Sequence, residues 1–203
     1  SIYDLKTIVE IDAETGLKQL NPQRNVRPRT IKECMPILEG WTRLTEQVNL
    51  PVYIETHRDR MTTDLYFTLD ILDQLPNLKL LADLSHFFVG REFSEPVSEE
   101  NHRLIERILD NCWAMHGRIA SREQVQIEIQ FPHHKKNVDL FKRWWRYGIE
   151  SWRQRAVANA KFVFTCELGP QPYAIAGADG KDLSDRWADR LVMRDLIKGV
   201  WNS

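Results

Sequence analysis

The segment KLLADLSHFFVG, residues 79–90, decides the fold that this sequence predicts. Its apolar run indicates a buried strand, yet Asp83, Ser85 and His86 follow within four residues of one another. Side chains alternate between the two faces of a strand, so Leu81 and Asp83 share one face. Either the strand ends in ordinary hydrogen-bonded structure, or it carries a carboxylate and an imidazole into a functional site.

The sequence on either side of this segment alternates between strand and helix patterns. Strands are predicted at residues 16–22, 50–57, 78–86, 113–120 and 161–169, and helices at residues 30–49, 62–75, 98–112, 137–157 and 183–201. Thr62 or Thr63 is expected to cap the second helix, and Ser98 the third. This alternation predicts parallel strands with helical crossovers, in either an open doubly wound sheet or a barrel.

Four of these strands place polar side chains on one face at the carboxyl end. On that face lie Tyr53, Glu55 and His57, then Leu81, Asp83 and Ser85, then Ala114, His116 and Arg118, then Val163, Thr165 and Glu167. One polar strand end has an ordinary structural explanation, but the same layout in four strands indicates one shared site at their carboxyl ends. A face that is covered by helices and a second face that becomes polar at the strand ends predict a (β/α)8 TIM barrel.

The composition limits the class of protein. The 203 residues are 42% hydrophobic and 28% charged, which is the balance of a globular domain. Lysine and arginine number 28 against 29 acidic residues, so there is no basic excess to neutralise a nucleic acid backbone. Cys34, Cys112 and Cys166 lie far apart among apolar residues, which indicates reduced thiols and a cytoplasmic location. No apolar run approaches the ~20 residues that span a bilayer, so no membrane partner is expected.

The polar strand ends supply three carboxylates and one imidazole. Such a cluster cannot stay charged and buried without a cation, so we expect one divalent ion to bind there. Oxygen-rich ligation with one histidine suits Mn²⁺, Mg²⁺ or Co²⁺, and Zn²⁺ remains open. The predicted ligands are Glu55, Asp83, His116 and Glu167. His57 shares a face with Glu55 and is expected to touch substrate or to support the ligands.

These strand ends also carry a resemblance to a known family. In order, ETH, DLSH, HGRIASR and CELG resemble the last four strand ends of the xylose isomerase-like TIM-barrel family, which includes sugar epimerases and isomerases, dehydratases and AP endonucleases. The resemblance implies that the four predicted ligands bind one metal ion, and that Glu55 and Glu167 also move protons. By the family's spacing, it implies that His86 and Arg122 bind substrate.

The resemblance extends from about residue 16 to the carboxyl terminus. Residues 1–203 are therefore expected to form a single domain of this family. Only five strand and helix units are visible, so the first three units of the eight-unit barrel are expected to be absent from this sequence. Residues 1–16 are interpreted as the helix that precedes the fourth strand of the barrel.

The activity expected from this site is proton transfer next to a carbonyl. Glu55 and Glu167, on opposite sides of a sugar or hydroxy-ketone, would support an isomerase or epimerase that acts through an enediolate. A dehydratase or lyase could use the same metal and base to remove a β-hydroxyl. The expected substrate of the site is a small sugar, hydroxy-acid or hydroxy-ketone. An AP endonuclease-like hydrolase and a non-catalytic sugar-binding domain are the remaining alternatives for the function. For the assembly, both a monomer and a homo-oligomer are compatible with the sequence.

Two other segments are interpreted from their patterns. EQVQIEIQFPHHKKN, residues 123–137, is polar and β-prone, and is read as a substrate-covering loop, an oligomer contact or an ordinary surface loop. Four aromatic residues and one glycine, at positions 141, 144, 145, 148 and 152, follow helical spacing, so this face of a helix is expected to pack on the barrel. His102, at the start of a helix, is expected to be exposed.

Overall fold

The computed structural model describes residues 21, 26–48 and 51–203. The helices in this part of the chain are α1 (Ile31–Val48), α2 (Leu65–Gln74), α3 (Ser85–Gly90), α4 (Glu99–Leu109), α5 (Lys135–Arg155) and α6 (Arg186–Asn202), and a 3-10 helix spans Pro132–His134. The strands are β1 (Ile54–Glu55), β2 (Leu80–Ala82), β3 (Cys112–Gly117) and β4 (Val163–Cys166). The predicted strand at residues 16–22 and the predicted helix at residues 1–16 lie largely outside the described residues. The predicted pairing of that strand with residues 51–55 also lies outside them.

The four strands form one parallel sheet in the order β1-β2-β3-β4. Each connection between neighbouring strands contains at least one helix, which parallel pairing requires. Helices α1, α2, α4, α5 and α6 contact one another in that same order. The predicted α/β class and parallel crossovers are confirmed. The described residues show four parallel strands and do not show a closed barrel.

One face of the sheet packs against the helices. Ile54, Leu80, Ala82 and Met115 are buried on this side. Helix α5 covers it with Phe141, Trp144 and Trp145, none of which is exposed to solvent. Burial of a side chain the size of Phe contributes about 1.5–3 kcal/mol. The prediction that the aromatic face of this helix packs on the sheet is therefore confirmed.

The opposite face carries a small apolar layer below the polar strand ends. Tyr53, Leu81 and Ala114 form a separate buried cluster, with Val163 packed against it. Leu81 pairs with Ala114, and Ala114 with Val163, so neighbouring strands contribute to one layer. Because side chains alternate along a strand, the residue two positions further along each strand points the same way. The structure therefore confirms that Glu55, Asp83, His116 and Glu167 lie on the same side of the sheet.

An irregularity in β3 sets this arrangement. Leu80 pairs with Cys112 but Leu81 pairs with Ala114, so Trp113 is an additional residue in the ladder. Trp113 packs with the Tyr53 cluster, and not on the helix-covered face with Met115 as strict alternation predicts. That part of the prediction is wrong because a bulge breaks the period of two.

Strand β2 is shorter than predicted. It ends at Ala82, and Ser85 and His86 belong to helix α3, so strand alternation does not determine where these two side chains point. The Asp83 carboxylate accepts a hydrogen bond from the Ser85 backbone N–H at 3.0 Å and from its hydroxyl at 2.5 Å. These bonds offer the chain an alternative to the strand ladder and turn it into the helix.

The first residues of two helices can be compared with the predicted capping residues. Ser98 caps α4 as predicted. Asp64 caps α2, where Thr62 or Thr63 was expected, because its carboxylate accepts a hydrogen bond from the Phe67 N–H at 2.9 Å.

The burial of two regions can also be compared with the predictions. His102 is buried, so the prediction that it is exposed is wrong. Residues 123–137 contain turns, the 3-10 helix and the start of α5 but no strand, and residues 126–129 are buried. The interpretation of this segment as a substrate-covering loop, an oligomer contact or a surface loop stays a prediction. No helix in the described part of the chain is long and apolar enough to cross a membrane.

Candidate metal centre

The four predicted ligands converge at the carboxyl ends of the four strands. Glu55 ends β1, Asp83 follows β2, His116 lies in β3 and Glu167 follows β4. One ligand atom from each residue lies within 4.8 Å of the other three. The sheet places them together because parallel strands end at the same edge.

His116 bridges two of the carboxylates. Its Nδ1 lies 2.8 Å from Glu55 Oε1 and 2.7 Å from Glu167 Oε2. Burial opposes protonation, but the hydrogen bonds to Glu167 and Glu55 outweigh it and raise the pKa of His116 to about 10. His116 Nδ1 and one oxygen of each glutamate therefore face one another at short distance.

Asp83 is the most deeply buried ligand, with no exposed side-chain surface. Burial raises the pKa of its carboxyl to about 6, although the Arg118 charge and the Ser85 hydrogen bond act in the opposite direction. Its backbone exchanges two hydrogen bonds with the Thr56 hydroxyl, at 2.8 and 2.9 Å. The position of this carboxylate is therefore fixed by neighbours on both its main chain and its side chain.

The two glutamates differ in their surroundings. Only 3% of the Glu55 side chain is exposed, against 31% for Glu167. Asn21 donates a hydrogen bond to Glu55 Oε2 at 2.8 Å, and the Thr62 hydroxyl donates one to the Glu55 carbonyl at 2.5 Å. Burial acts to raise the pKa of Glu167, but His116 and Arg118 together hold it below its usual range. Glu167 is thus the ionised ligand that faces the open side.

Arg118 belongs to the centre, although the sequence argument assigned it no role. Its Nε lies 3.1 Å from Asp83 Oδ2, and its terminal nitrogen forms a close ion pair with Glu167 Oε1. Only 2% of its side chain is exposed, and its guanidinium lies 4.5 Å from the centre of the Tyr173 ring. The available sequence signal was its position two residues after His116, on the same predicted face.

His86 and His57 lie next to the four predicted ligands, on the side of Asp83. Their rings lie 4.0 Å apart. Burial, followed by the charges of His57 and Arg118, lowers the pKa of His86 to about 2, so this imidazole is neutral. Its Nε2 lies 3.6 Å from Asp83 Oδ2, and neither ring nitrogen has a hydrogen-bond partner within the described residues. Buried polar atoms of this kind are expected to meet a ligand or an ordered water.

Arg122 is the predicted site residue that the structure does not bring to the cluster. Its side chain is 46% exposed and lies 3.5 Å from carboxylate oxygens of Glu92 and of Glu123. Its assignment to substrate remains a prediction.

The residues fit a divalent ion. The donor set is three hard carboxylate oxygens and one imidazole nitrogen, which suits Mn²⁺, Mg²⁺ or Co²⁺. In formal charges, the three carboxylates of Glu55, Asp83 and Glu167 count three negative and the Arg118 guanidinium one positive. A divalent cation would make the formal charges equal.

Comparisons with known proteins bear on the fold. No family model matches this chain, and no curated protein matches it. Among solved structures the chain matches a TIM-barrel enzyme of the xylose isomerase-like family, so the resemblance stated from the strand ends is confirmed at the level of the fold.

That structure is the crystal structure of the probable 3-DHS dehydratase AsbF, involved in petrobactin synthesis, from Bacillus anthracis. The TM-score is 0.55 and the sequence identity is 15%, and the match covers 97% of this chain and 69% of AsbF. At this identity the likeness concerns the fold. The neighbour is described as a probable dehydratase and not as an isomerase.

Proposed function

We propose that this protein is a divalent-metal-dependent lyase that dehydrates a small hydroxylated carbonyl compound. The observation that carries the proposal is the convergence of Glu55, Asp83, His116 and Glu167 at the carboxyl ends of parallel strands. The dehydratase activity of the structural neighbour supports this reaction over isomerisation, which was the first expectation from the sequence.

The proposed metal site supplies one part of the chemistry. A bound divalent ion would polarise a substrate carbonyl and so acidify the adjacent C–H bond. The chain's own residues would hold the ion through the four ligands and keep it in a partly enclosed site. Arg118 would remain beside Asp83 and Glu167 as a fixed positive charge.

Glu167 is proposed as the base, because it is the ionised carboxylate on the open side of the centre. Its carboxylate would take the proton from the carbon next to the carbonyl. The C–O bond to the β-hydroxyl then breaks, and the hydroxyl leaves as water with the proton that Glu167 has taken from the carbon. His86 is neutral and so would donate a hydrogen bond to a substrate oxygen without carrying a charge.

An isomerase or epimerase is the second candidate. Glu55 and Glu167 both reach His116 Nδ1, at 2.8 and 2.7 Å, so two carboxylates flank one position. Two bases on opposite sides of a substrate carbon would allow one to remove a proton and the other to return one. The deep burial of Glu55 favours the dehydratase, since this carboxylate has less access to substrate than Glu167.

Metal binding is tested first, by titration of the chelator-treated protein with Mn²⁺ in a calorimeter. We expect one ion per chain, and at least a hundredfold weaker binding for Asp83→Asn, in line with removal of a ligand. Arg122→Gln is the matched control, because Arg122 is exposed and contacts only Glu92 and Glu123 among the described residues. Undiminished Mn²⁺ binding by Asp83→Asn would contradict the assignment.

The reaction class is tested by product analysis of the Mn²⁺-loaded protein. Hydroxylated aldehydes, ketones and keto acids are incubated in D₂O and followed by proton NMR and mass spectrometry. A dehydratase gives a product that has lost one water. An epimerase gives a product of unchanged composition that carries solvent deuterium, and this result would favour the second candidate. Glu167→Gln should abolish either reaction.

A further inference from the structure

The segment after β3 is held against the loop that follows β4. Gln126 is 1% exposed, although a glutamine is ordinarily a surface residue. The segment is anchored beside β3 by the Ile127 N–H, which donates to the Ile119 carbonyl at 3.1 Å. At its far end Gln130 donates a hydrogen bond to Asp189 of α6 at 2.8 Å. The buried part of this segment therefore lies close to the candidate centre and has attachments at both ends.

Gln126 makes a two-way contact with the chain just beyond Glu167. Its side-chain nitrogen donates to the Gly169 carbonyl at 2.7 Å, and its side-chain oxygen accepts the Gly169 N–H at 3.0 Å. Arg190 Nε donates to the intervening Leu168 carbonyl at 3.0 Å. The Glu167 N–H itself donates to Gly117 of β3 at 3.0 Å. The backbone of three consecutive residues, 167 to 169, is therefore held by three different parts of the fold.

Glu167 depends on this backbone support more than the other carboxylate ligands do. Its side chain is the most exposed of the four ligands, and its carboxylate contacts His116 and Arg118. The backbone of residues 167–169 is held by its bonds to Gly117, Arg190 and Gln126, and it sets the point from which the Glu167 side chain reaches the centre.

We infer that Gln126 is a positioning residue for Glu167 in the proposed metal centre. It fixes the peptide two residues beyond the ligand, and through it the direction of the Glu167 side chain. This inference rests on the proposed function for its consequence, namely the affinity and geometry of metal binding. The contact to Gly169 on which it depends involves no metal.

The amide group suits this position because it donates and accepts at once. Gln126→Leu removes both bonds and leaves the Gly169 N–H and carbonyl without these partners in a part-buried site. Gln126→Glu keeps the shape and an acceptor for the N–H, but its ionised carboxylate cannot donate to the carbonyl. Gln130→Leu is the matched control, because it removes the other amide anchor of the same segment and leaves Gly169 untouched.

The experiment compares wild type, Gln126→Leu, Gln126→Glu, Gln130→Leu and Glu167→Gln. Mn²⁺ affinity is measured by calorimetry, and the visible absorption spectrum of bound Co²⁺ reports the ligand set. Outer contacts to metal ligands typically change affinity by about 10–100-fold. We expect this loss for both Gln126 variants, with Co²⁺ spectra shifted toward that of Glu167→Gln. Gln130→Leu should keep the wild-type affinity and spectrum.

Hydrogen exchange of the metal-free proteins adds a readout that needs no ion. Protection of the Gly169 amide should fall in both Gln126 variants and stay unchanged in Gln130→Leu. Unchanged protection and wild-type Co²⁺ spectra in the Gln126 variants would overturn the inference. An equal loss in Gln130→Leu would also overturn it, since the effect would then be general destabilisation. If the wild type binds neither Mn²⁺ nor Co²⁺, the proposed function fails, and the positioning role in metal binding fails with it. If the wild type binds the ions and the Gln126 variants bind them equally well with the same spectra, only the positioning role is refuted.

Discussion

At the scale of single residues, the centre combines acidic ligands with a buried guanidinium. Arg118 contacts Asp83 and Glu167, so it already neutralises part of the charge that a metal ion would neutralise. A cation fixed in the protein makes the clustered carboxylates tolerable in the metal-free state. It also limits the attraction of the site for an added cation.

Arg118→Met should therefore separate these two effects. We expect it to lower the free energy of unfolding of the metal-free protein by about 3–5 kcal/mol, the usual effect of removing one partner of a buried ion pair. Mn²⁺ should recover more stability in this variant than in the wild type. Urea unfolding with chelator and with Mn²⁺ measures both quantities. Arg122→Met is the control, and its exposed side chain should change stability by less than about 0.5 kcal/mol.

His86 provides a test of substrate binding that is independent of metal binding. Its two ring nitrogens have no hydrogen-bond partner within the described residues, and its ring is neutral. His86→Leu should leave Mn²⁺ affinity within about threefold of wild type, while turnover falls by about 10²–10³-fold, as for loss of one donor to a reacting oxygen. Calorimetry and steady-state kinetics give the two numbers. A loss of Mn²⁺ binding equal to that of Asp83→Asn would place His86 among the ligands.

At the scale of elements, the close approach of β3 and β4 depends on Gly117. A Cβ atom at this position would lie 2.2 Å from the Phe164 ring, which itself packs on Trp145. The Gly117 carbonyl also accepts the Glu167 N–H. The packing of these two strands and the position of a predicted ligand are therefore linked.

Gly117→Ala should destabilise the protein by about 1–3 kcal/mol, the usual cost of overpacking a core. Because Phe164 must move, Mn²⁺ affinity should fall as well. Gly90→Ala is the matched control, since no atom lies within 4 Å of a Cβ built there. Denaturant unfolding and calorimetry report the two effects, and equal stability of the two variants would refute the steric argument.

The contact between α4 and α5 gives an expectation for the effect of pH on stability. The Trp144 indole N–H donates to His102 Nδ1 at 3.0 Å, so the imidazole must be neutral at that nitrogen. Burial, then the Arg143 charge, lowers the pKa of His102 in the folded protein. In the unfolded chain His102 has an ordinary pKa of about 6.5, so the unfolded state binds the proton more readily. The free energy of unfolding therefore decreases as the pH falls below that value.

His102→Gln should remove this pH dependence, because a glutamine can accept the hydrogen bond from the Trp144 indole without titrating near neutrality. Between pH 7.5 and about 5, stability of the wild type should fall more steeply than that of the variant. His86 contributes a similar loss to both proteins, so the difference between the two curves isolates His102. Urea unfolding at several pH values measures it, and parallel curves would contradict the expectation.

At the scale of the whole molecule, the candidate centre joins all four described strands. An ion held by Glu55, Asp83, His116 and Glu167 would bind the folded state and not the dispersed ligands of the unfolded chain. We expect stabilisation of about 2.7 kcal/mol when the free Mn²⁺ concentration is a hundred times the dissociation constant. Thermal unfolding with chelator and with Mn²⁺ tests this. Asp83→Asn should show no shift, and an equal shift in this variant would indicate binding elsewhere.

The sequence by itself determined the α/β class of the fold and the four residues that meet in the candidate metal centre. Alternation of strand and helix patterns is local, and the period of two within a strand assigns Glu55, Asp83, His116 and Glu167 to one face without knowledge of any distant contact. The carboxyl ends of parallel strands then bring these residues to a common edge. Four strands with the same pattern were needed, because each strand alone has an ordinary structural explanation.

Only the tertiary structure decided the surroundings of these ligands. The bulge at Trp113, the helix that begins at Ser85 and the burial of Gln126 depend on contacts between segments far apart in the chain. Arg118 could be placed on a face but not in an ion pair, since its partners come from two other strands. Local patterns specify the direction of a side chain, whereas its partners are set by packing, which involves residues that no local period relates.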